Sequence, residues 1–358
     1  MRNHGSRIGV FTLVLLFGAA VAYGQQRGPV VPAQTAAGNN YHVTILVSNE
    51  EEDATVTADP LLKNAWGIAA LPGGPWWVAD NGSGFSTIYR GDGTKLGLEV
   101  SGIGLATGVV AYTGGSFRLD ESTPAKFIFV SEDGNFIAWA SGNAATVVHS
   151  DAEDSYKGLA IHGDTLYTTN FAGCEVEAYQ GDFFDQTFAA VDTPGGFHDG
   201  TIPGGYCPFG IQAIGDSIFV SYAKRGDDGD DEAGPGHGFV REFDQFGQIV
   251  SRVGTHGTLN SPWGMAMAPA DFGMFGGCLL VGNFGDGHIN AFCKTPSGNW
   301  HQQGRLKEGA HLLTIDGLWG LGFGNDGLAG PSGTLYFAAG PDEEANGYYG
   351  SIDFAPRH

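Results

Sequence analysis

"WGMAMAPADFGMFGGCLLVGNFGDGHINAFC", Trp263 to Cys293, carries the grammar of the whole chain. A Trp-Gly doublet opens a short apolar strand, a connection rich in glycine follows, and "CLLVGN" and "HINAFC" flank a turn at Gly285 and Asp286. Folding the two arms about that turn sets Val281 opposite Asn290 and, in the same register, Cys278 opposite Cys293. Directly opposed residues of a non-hydrogen-bonded antiparallel pair lie close enough for a disulfide, so a Cys278–Cys293 bridge is expected. The central "GNFGDG" lacks Gly-x-Gly-x-x-Gly spacing and opens no helix, which makes it a turn rather than a phosphate cradle.

The same grammar recurs five more times: "WGIAALPGGPWWVADNG" at Trp66, "TGVVAYTGG" at Thr107, "KGLAIHGDTLYTTNF" at Lys157, "FGIQAIGDSIFVSYA" at Phe209 and "WGLGFGNDGLAGPSGTLYFAAG" at Trp319. The marking glycines are 67, 108, 158, 210, 264 and 320, spaced 41, 50, 52, 54 and 56 residues apart. Repeats of that length built from short strands define a β-propeller. A glycine at each inner strand lets backbones approach closely around a central channel. The second strands, such as "WWVAD", "FIFVS" and "LYTTN", have the aromatic and β-branched character of strands buried between blades. The expectation is an all-β, six-bladed β-propeller over residues 41–356, with four antiparallel strands per blade. After Trp319 the chain supplies three strands, so "YHVTILV", Tyr41 to Val47, is expected to complete the last blade and remove its free edge.

Ahead of that strand, Arg2 and Arg7, the apolar run Ile8 to Ala22 and the small residues at Ala22-Tyr23-Gly24 read as a signal peptide over residues 1–24. Residues 25–40 read as a flexible tether, and no later stretch is long and apolar enough to span a membrane. An exported, periplasmic or extracellular, monomeric ring is expected. Its four cysteines then suit two disulfides better than zinc, with Cys174 and Cys207 near one rim as the second pair. With 17 basic against 39 acidic residues, the surface disfavours nucleic acid as a partner and favours cations.

Because strands alternate in direction, residues before each marking glycine share a face with those ending each second strand. Asn64, Asp80, Asn81, Glu132, Asp133, Lys157, Asn170, Asn260, Asn283 and Asp316 lie there. Asp80, Glu132, Asn170 and Asn283 are the candidate ligands for Ca²⁺, a hard cation that takes oxygen donors. Large insertions are expected on this face alone, from Phe197 and from Ala223, the latter holding the acidic run Asp227 to Glu232. His198 and His237 within them are candidate catalytic acid–base groups.

"NAWGIA", "FVSEDGNFIAW", "GGYCPFGIQAIGDSIFVSYA" and "SPWGMAMAPADFG" resemble an uncharacterised family of exported bacterial proteins, some of which carry a C-terminal sorting segment. That resemblance implies fold and export and supplies no activity. More distantly, "GIAALPGGPWWVADNGSGFSTIY" is similar to the NHL-type repeat. Calcium-dependent gluconolactonase-like propellers are the nearest enzymatic comparison, and likeness to them implies one metal on the channel axis, with Asn170 and Asn283 at comparable strand ends. Two functions follow as expectations. One is a binding scaffold for a protein, glycan or small ligand. The other is a calcium-dependent hydrolase or lactonase with its ion at the channel mouth.

Overall fold

The structure, a computed structural model, describes residues 38–356. The expected signal peptide and nearly all of the tether lie outside the described residues. Six antiparallel sheets form the blades of the propeller, and their inner strands are Ala65–Ala70, Ala106–Ala111, Tyr156–His162, Tyr206–Ile214, Pro262–Met267 and Leu318–Phe323. Each marking glycine lies in one of these strands.

The glycines form a closed collar. A Cβ on Gly67 would meet Thr107 O at 2.7 Å, and one on Gly108 would meet Leu159 N at 2.5 Å. One on Gly158 would stand 3.1 Å from Phe209 O, while Gly210 and Gly264 abut the carbonyls of Trp263 and Trp319 more closely still. Gly320 completes the circuit at 2.6 Å from Trp66 O. Each blade therefore meets the backbone of the next where the inner strands converge. Farther out, aromatic pairs fill the wedge between blades, such as Trp77 stacked on Phe127 at 4.0 Å and Tyr89 on Tyr349 at 5.2 Å.

The last blade is closed as expected. Tyr41–Ser48 pairs antiparallel with Tyr348–Phe354, with Tyr41 opposite Phe354 and Thr44 opposite Ser351. Tyr41 is buried against Phe272, Phe275 and Phe354. This blade departs from four strands, because Thr57–Ala58 adds a short parallel fifth strand outside Tyr41–Ser48. It covers an edge that would otherwise stay unpaired.

Blade five has the register read from the sequence, with Val281 opposite Asn290. Cys278 and Cys293 are bridged with Cα atoms 4.3 Å apart, and Cys174 and Cys207 with Cα atoms 4.7 Å apart. Cys174 sits in the turn before Glu175–Gln180, and Cys207 lies inside an inner strand. The expectation that large insertions occupy one face alone is corrected. The opposite face also carries long connections, over residues 112–126, 268–278 and 324–334. Among the described residues, no helix is long and apolar enough to cross a membrane.

Candidate functional site

The channel mouth is built from two sets of residues. The residues before five of the six marking glycines supply Trp66, Lys157, Phe209, Trp263 and Trp319. The residue after several second strands supplies Asn81, Glu132, Phe171 and Phe284. Backbone bonds tie the sets together: Asn81 N donates to Asn64 O, Phe171 N to Ser155 O and Phe284 N to Ser261 O. The aromatic members close the channel. Phe284 stacks on Trp319 at 3.9 Å and Trp319 on Trp66 at 3.6 Å, while Trp263 meets both tryptophans edge-on.

A polar belt runs over this plug through five blades. Trp319 Nε1 donates to Asn64 Oδ1 at 3.2 Å, Asn64 Nδ2 to Asn81 Oδ1 at 3.3 Å, and Asn81 Nδ2 to Glu132 Oε2 at 3.0 Å. Lys157 Nζ then donates to Glu132 Oε1 and, at 3.0 Å, to Asp230 Oδ1 on the blade-four insertion. Lys157 is buried and its ammonium lies 5.5 Å from the Trp66 ring centroid. Burial alone would lower its pKa, but Glu132 and Asp230 outweigh that and raise it.

Two further carboxylates lie near the same ammonium. Burial, reinforced by neighbouring Asp230, pushes the Asp231 carboxyl up to about 6. Burial likewise raises Glu344, with Glu132 and Asp230 adding to it. Asp342, Glu343 and Glu344 all take positive φ (57°, 55° and 67°), a left-handed turn that side chains disfavour. Among the described residues, Trp66 Nε1 is buried with no hydrogen-bond partner, and Asp231 and Glu344 have only loose polar neighbours in Ser261 and Asn64.

The four candidate calcium ligands are held in separate networks. Asp80 accepts from Thr87 N at 3.0 Å. Burial, with nearby Asp59 adding to it, holds its carboxyl well above the usual range. Asn170 is engaged by Asp154, Glu177, Ser155 and Gly173. Asn283 bonds Thr258 O, Asp286 and Asn290. Glu132 alone belongs to the mouth. The difference is strand alternation: Asp80, Asn170 and Asn283 end their strands and turn into the blade, whereas the next residue faces the axis. Asn81, Glu132 and Lys157 were legible as residues of this face. Asp230, Asp231 and Glu344 were missed as partners of Lys157, because only the folded loops bring them there.

His237 Nδ1 bonds Glu232 O at 2.8 Å within the blade-four insertion. His198 instead lines a cavity of about 320 Å³ beneath the loop joining blades three and four. Below the aromatic plug the channel opens on the opposite face as a funnel of about 390 Å³, lined by inner-strand backbone and mostly apolar side chains, with Gln212 as its one amide side chain.

Fold and mouth together define a six-bladed β-propeller with an aromatic-plugged, acid-rich channel entrance. The chain is 31% identical over 341 residues to uncharacterized protein R648 of Acanthamoeba polyphaga mimivirus, covering 88% of this chain and 81% of that protein. It is 31% identical over 351 residues to uncharacterized protein L690 of the same virus, covering 90% and 88%. It belongs to the family of these viral proteins. No protein-family model matches the chain. A streptogramin B lyase structure superposes with a TM-score of 0.51 at 12% identity, covering 88% of this chain and 97% of that one, a likeness of fold.

Proposed function

We propose that the chain is an exported, monomeric binding propeller that takes a cationic group of its ligand or partner at the channel mouth. The observation that carries this reading is the excess of acid there: Glu132, Asp230, Asp231 and Glu344 lie around the ammonium of Lys157, and Arg225, a cation of the blade-four insertion, donates to Ala172 O. Carboxylates that are buried and incompletely paired are costly, and a second cation relieves that cost. The net charge of −22 draws cations toward the surface and disfavours nucleic acid. Export is supported by the leader pattern before Gln25 and by two disulfides, which persist in oxidising compartments; the relatives found are viral rather than the exported bacterial proteins expected from the sequence.

The test is calorimetric titration with spermidine and with a hexa-arginine peptide. Binding should weaken severalfold in Asp230→Asn/Glu344→Gln and stay unchanged in Glu121→Gln, which alters an exposed acid on the opposite face. It should also weaken as pH falls through about 6, because Asp231 then takes up a proton. Equal binding by the mouth variant and the control would reduce the effect to bulk charge and refute the reading. The alternative, a hydrolase with calcium at the mouth, requires the metal to displace Lys157 from between Glu132 and Asp230. Melting with calcium and with chelator tests it.

A further inference from the structure

The cavity between blades three and four is separate from the mouth. It lies under residues 196–205, and its lining includes Glu175, Phe197, His198, Ile202, Tyr206 and Tyr222. Its volume, about 320 Å³, falls in the range of small-molecule sites.

This cavity is held open by unusually firm construction. Cys174 lies in one wall, and its disulfide to Cys207 joins the turn before Glu175 to the inner strand of blade four. The covering loop is anchored through Asp199, which accepts from Arg241 Nε at 2.6 Å and from Arg252 Nε and Nη2 at 2.8 and 2.9 Å. Asp199 also accepts from Thr201 N and Oγ1 at 3.1 and 2.7 Å. These bonds hold its carboxyl well below the usual range. Tyr222 Oη donates to Phe197 O at 2.9 Å, so this tyrosine presents its ring rather than its hydroxyl. Phe197 itself sits at φ 50°, a conformation that a bulky residue adopts only when its surroundings enforce it.

Against this apolar wall stand two side chains with no commitments of their own. Neither His198 nor Glu175 makes a side-chain hydrogen bond or ion pair among the described residues, and both line the cavity. A carboxylate accepts only, and an imidazole accepts through one nitrogen when neutral. The charges of Asp199 and Glu175 offset those of Arg241 and Arg252, so the surroundings favour no net charge on an occupant.

The geometry points to a binding site for a small, neutral aromatic molecule carrying one O–H or N–H donor. The ring lies against Ile202, Tyr206 and Tyr222, and the donor is directed to Glu175 or His198. Ligand-observed ¹⁹F NMR with three probes tests it: 4-fluorophenol, fluorobenzene, which lacks the donor, and 4-fluorobenzoate, which is anionic. 4-Fluorophenol should bind saturably and at least tenfold more tightly than the other two. Glu175→Ala/His198→Ala, both exposed positions, should retain the wild-type melting temperature and lose that preference. Asp230→Asn/Glu344→Gln should keep it, so failure here and failure of the mouth reading are told apart. No saturation by 4-fluorophenol, or the same preference in Glu175→Ala/His198→Ala, overturns the assignment.

Discussion

Replacing Gly108 with alanine tests the collar directly. The added Cβ would stand 2.5 Å from Leu159 N, 2.7 Å from Leu159 Cβ and 3.0 Å from Gly158 C. Carbon contacts are comfortable at roughly 3.5 Å, so the next blade must retreat by roughly 1 Å. The obstacle is largely backbone, and no rotamer change relieves it. Overpacking of this kind costs about 1–3 kcal/mol. Gly108 does not take a positive φ, so alanine also stiffens the unfolded chain without backbone strain, which returns about 0.4–1 kcal/mol. A net loss of about 1–2 kcal/mol is expected. Gly158 is the internal comparator, since its added Cβ would come no closer than 3.1 Å to Phe209 O and 3.2 Å to Thr169 Oγ1. Gly158→Ala should stay within about 1 kcal/mol of wild type by the same terms. Guanidinium unfolding followed by tryptophan fluorescence measures both, provided the denaturant slopes agree. Equal losses for the two variants, or no loss for Gly108→Ala, would refute the collar as the limit on blade spacing.

Asp80→Asn should alter pH dependence: the folded protein keeps a proton on Asp80 that the unfolded chain gives up above about pH 4, so wild-type stability falls as pH rises toward the raised pKa, by about 1.4 kcal/mol per unit. Melts from pH 4 to 7 should show the asparagine variant losing less, and parallel curves would exclude a neutral Asp80. Lys157→Met leaves Glu132 and Asp230 without their cation and should cost about 3 kcal/mol at pH 7, the low end for a broken buried pair because Asp230 is 60% exposed. Lys157→Arg, which keeps a cation between the two carboxylates, should recover most of that loss in guanidinium unfolding, and equal losses for the two variants would point to packing instead. Cys278→Ser/Cys293→Ser opens a loop with a sequence separation of 15 and should cost about 3 kcal/mol in chemical unfolding. Tyr41→Ala should cost about 3–5 kcal/mol by emptying a buried aromatic site, and a wild-type melting temperature would contradict closure by the N-terminal strand.

The ring was legible because each blade repeats a demand that only glycine meets, and because strands alternate in direction regardless of what their loops contain. The blade-five disulfide was legible for the same local reason, since a turn at Gly285 fixes every pairing on its two arms. The mouth was only half legible. Sequence order places Asn81, Glu132 and Lys157 on the right face, but whether a strand-end side chain turns inward depends on a single residue of register. That step separates Asp80 from Asn81 and Asn170 from Phe171. Glu344 and Asp230 arrive on loops whose course no periodicity describes, one of them through three consecutive left-handed residues. His198 was visible as a residue, but its cavity was not, because that depends on Asp199 gripping two arginines 42 and 53 positions away.

Closure by the first strand also fixes a direction. Ala355 N donates to Asn40 O at 3.0 Å, and Asn40 Nδ2 donates back to Ala355 O at 2.9 Å, so the two ends of the ring leave side by side. They do so on the face opposite the acidic mouth, because the inner strands run from the mouth and the third strand of a blade, which Tyr348–Phe354 supplies, runs the same way. Anything fastened through either end therefore holds the ring from behind, with the mouth turned outward. A surface coated through Ala355 would display the carboxylates to its surroundings.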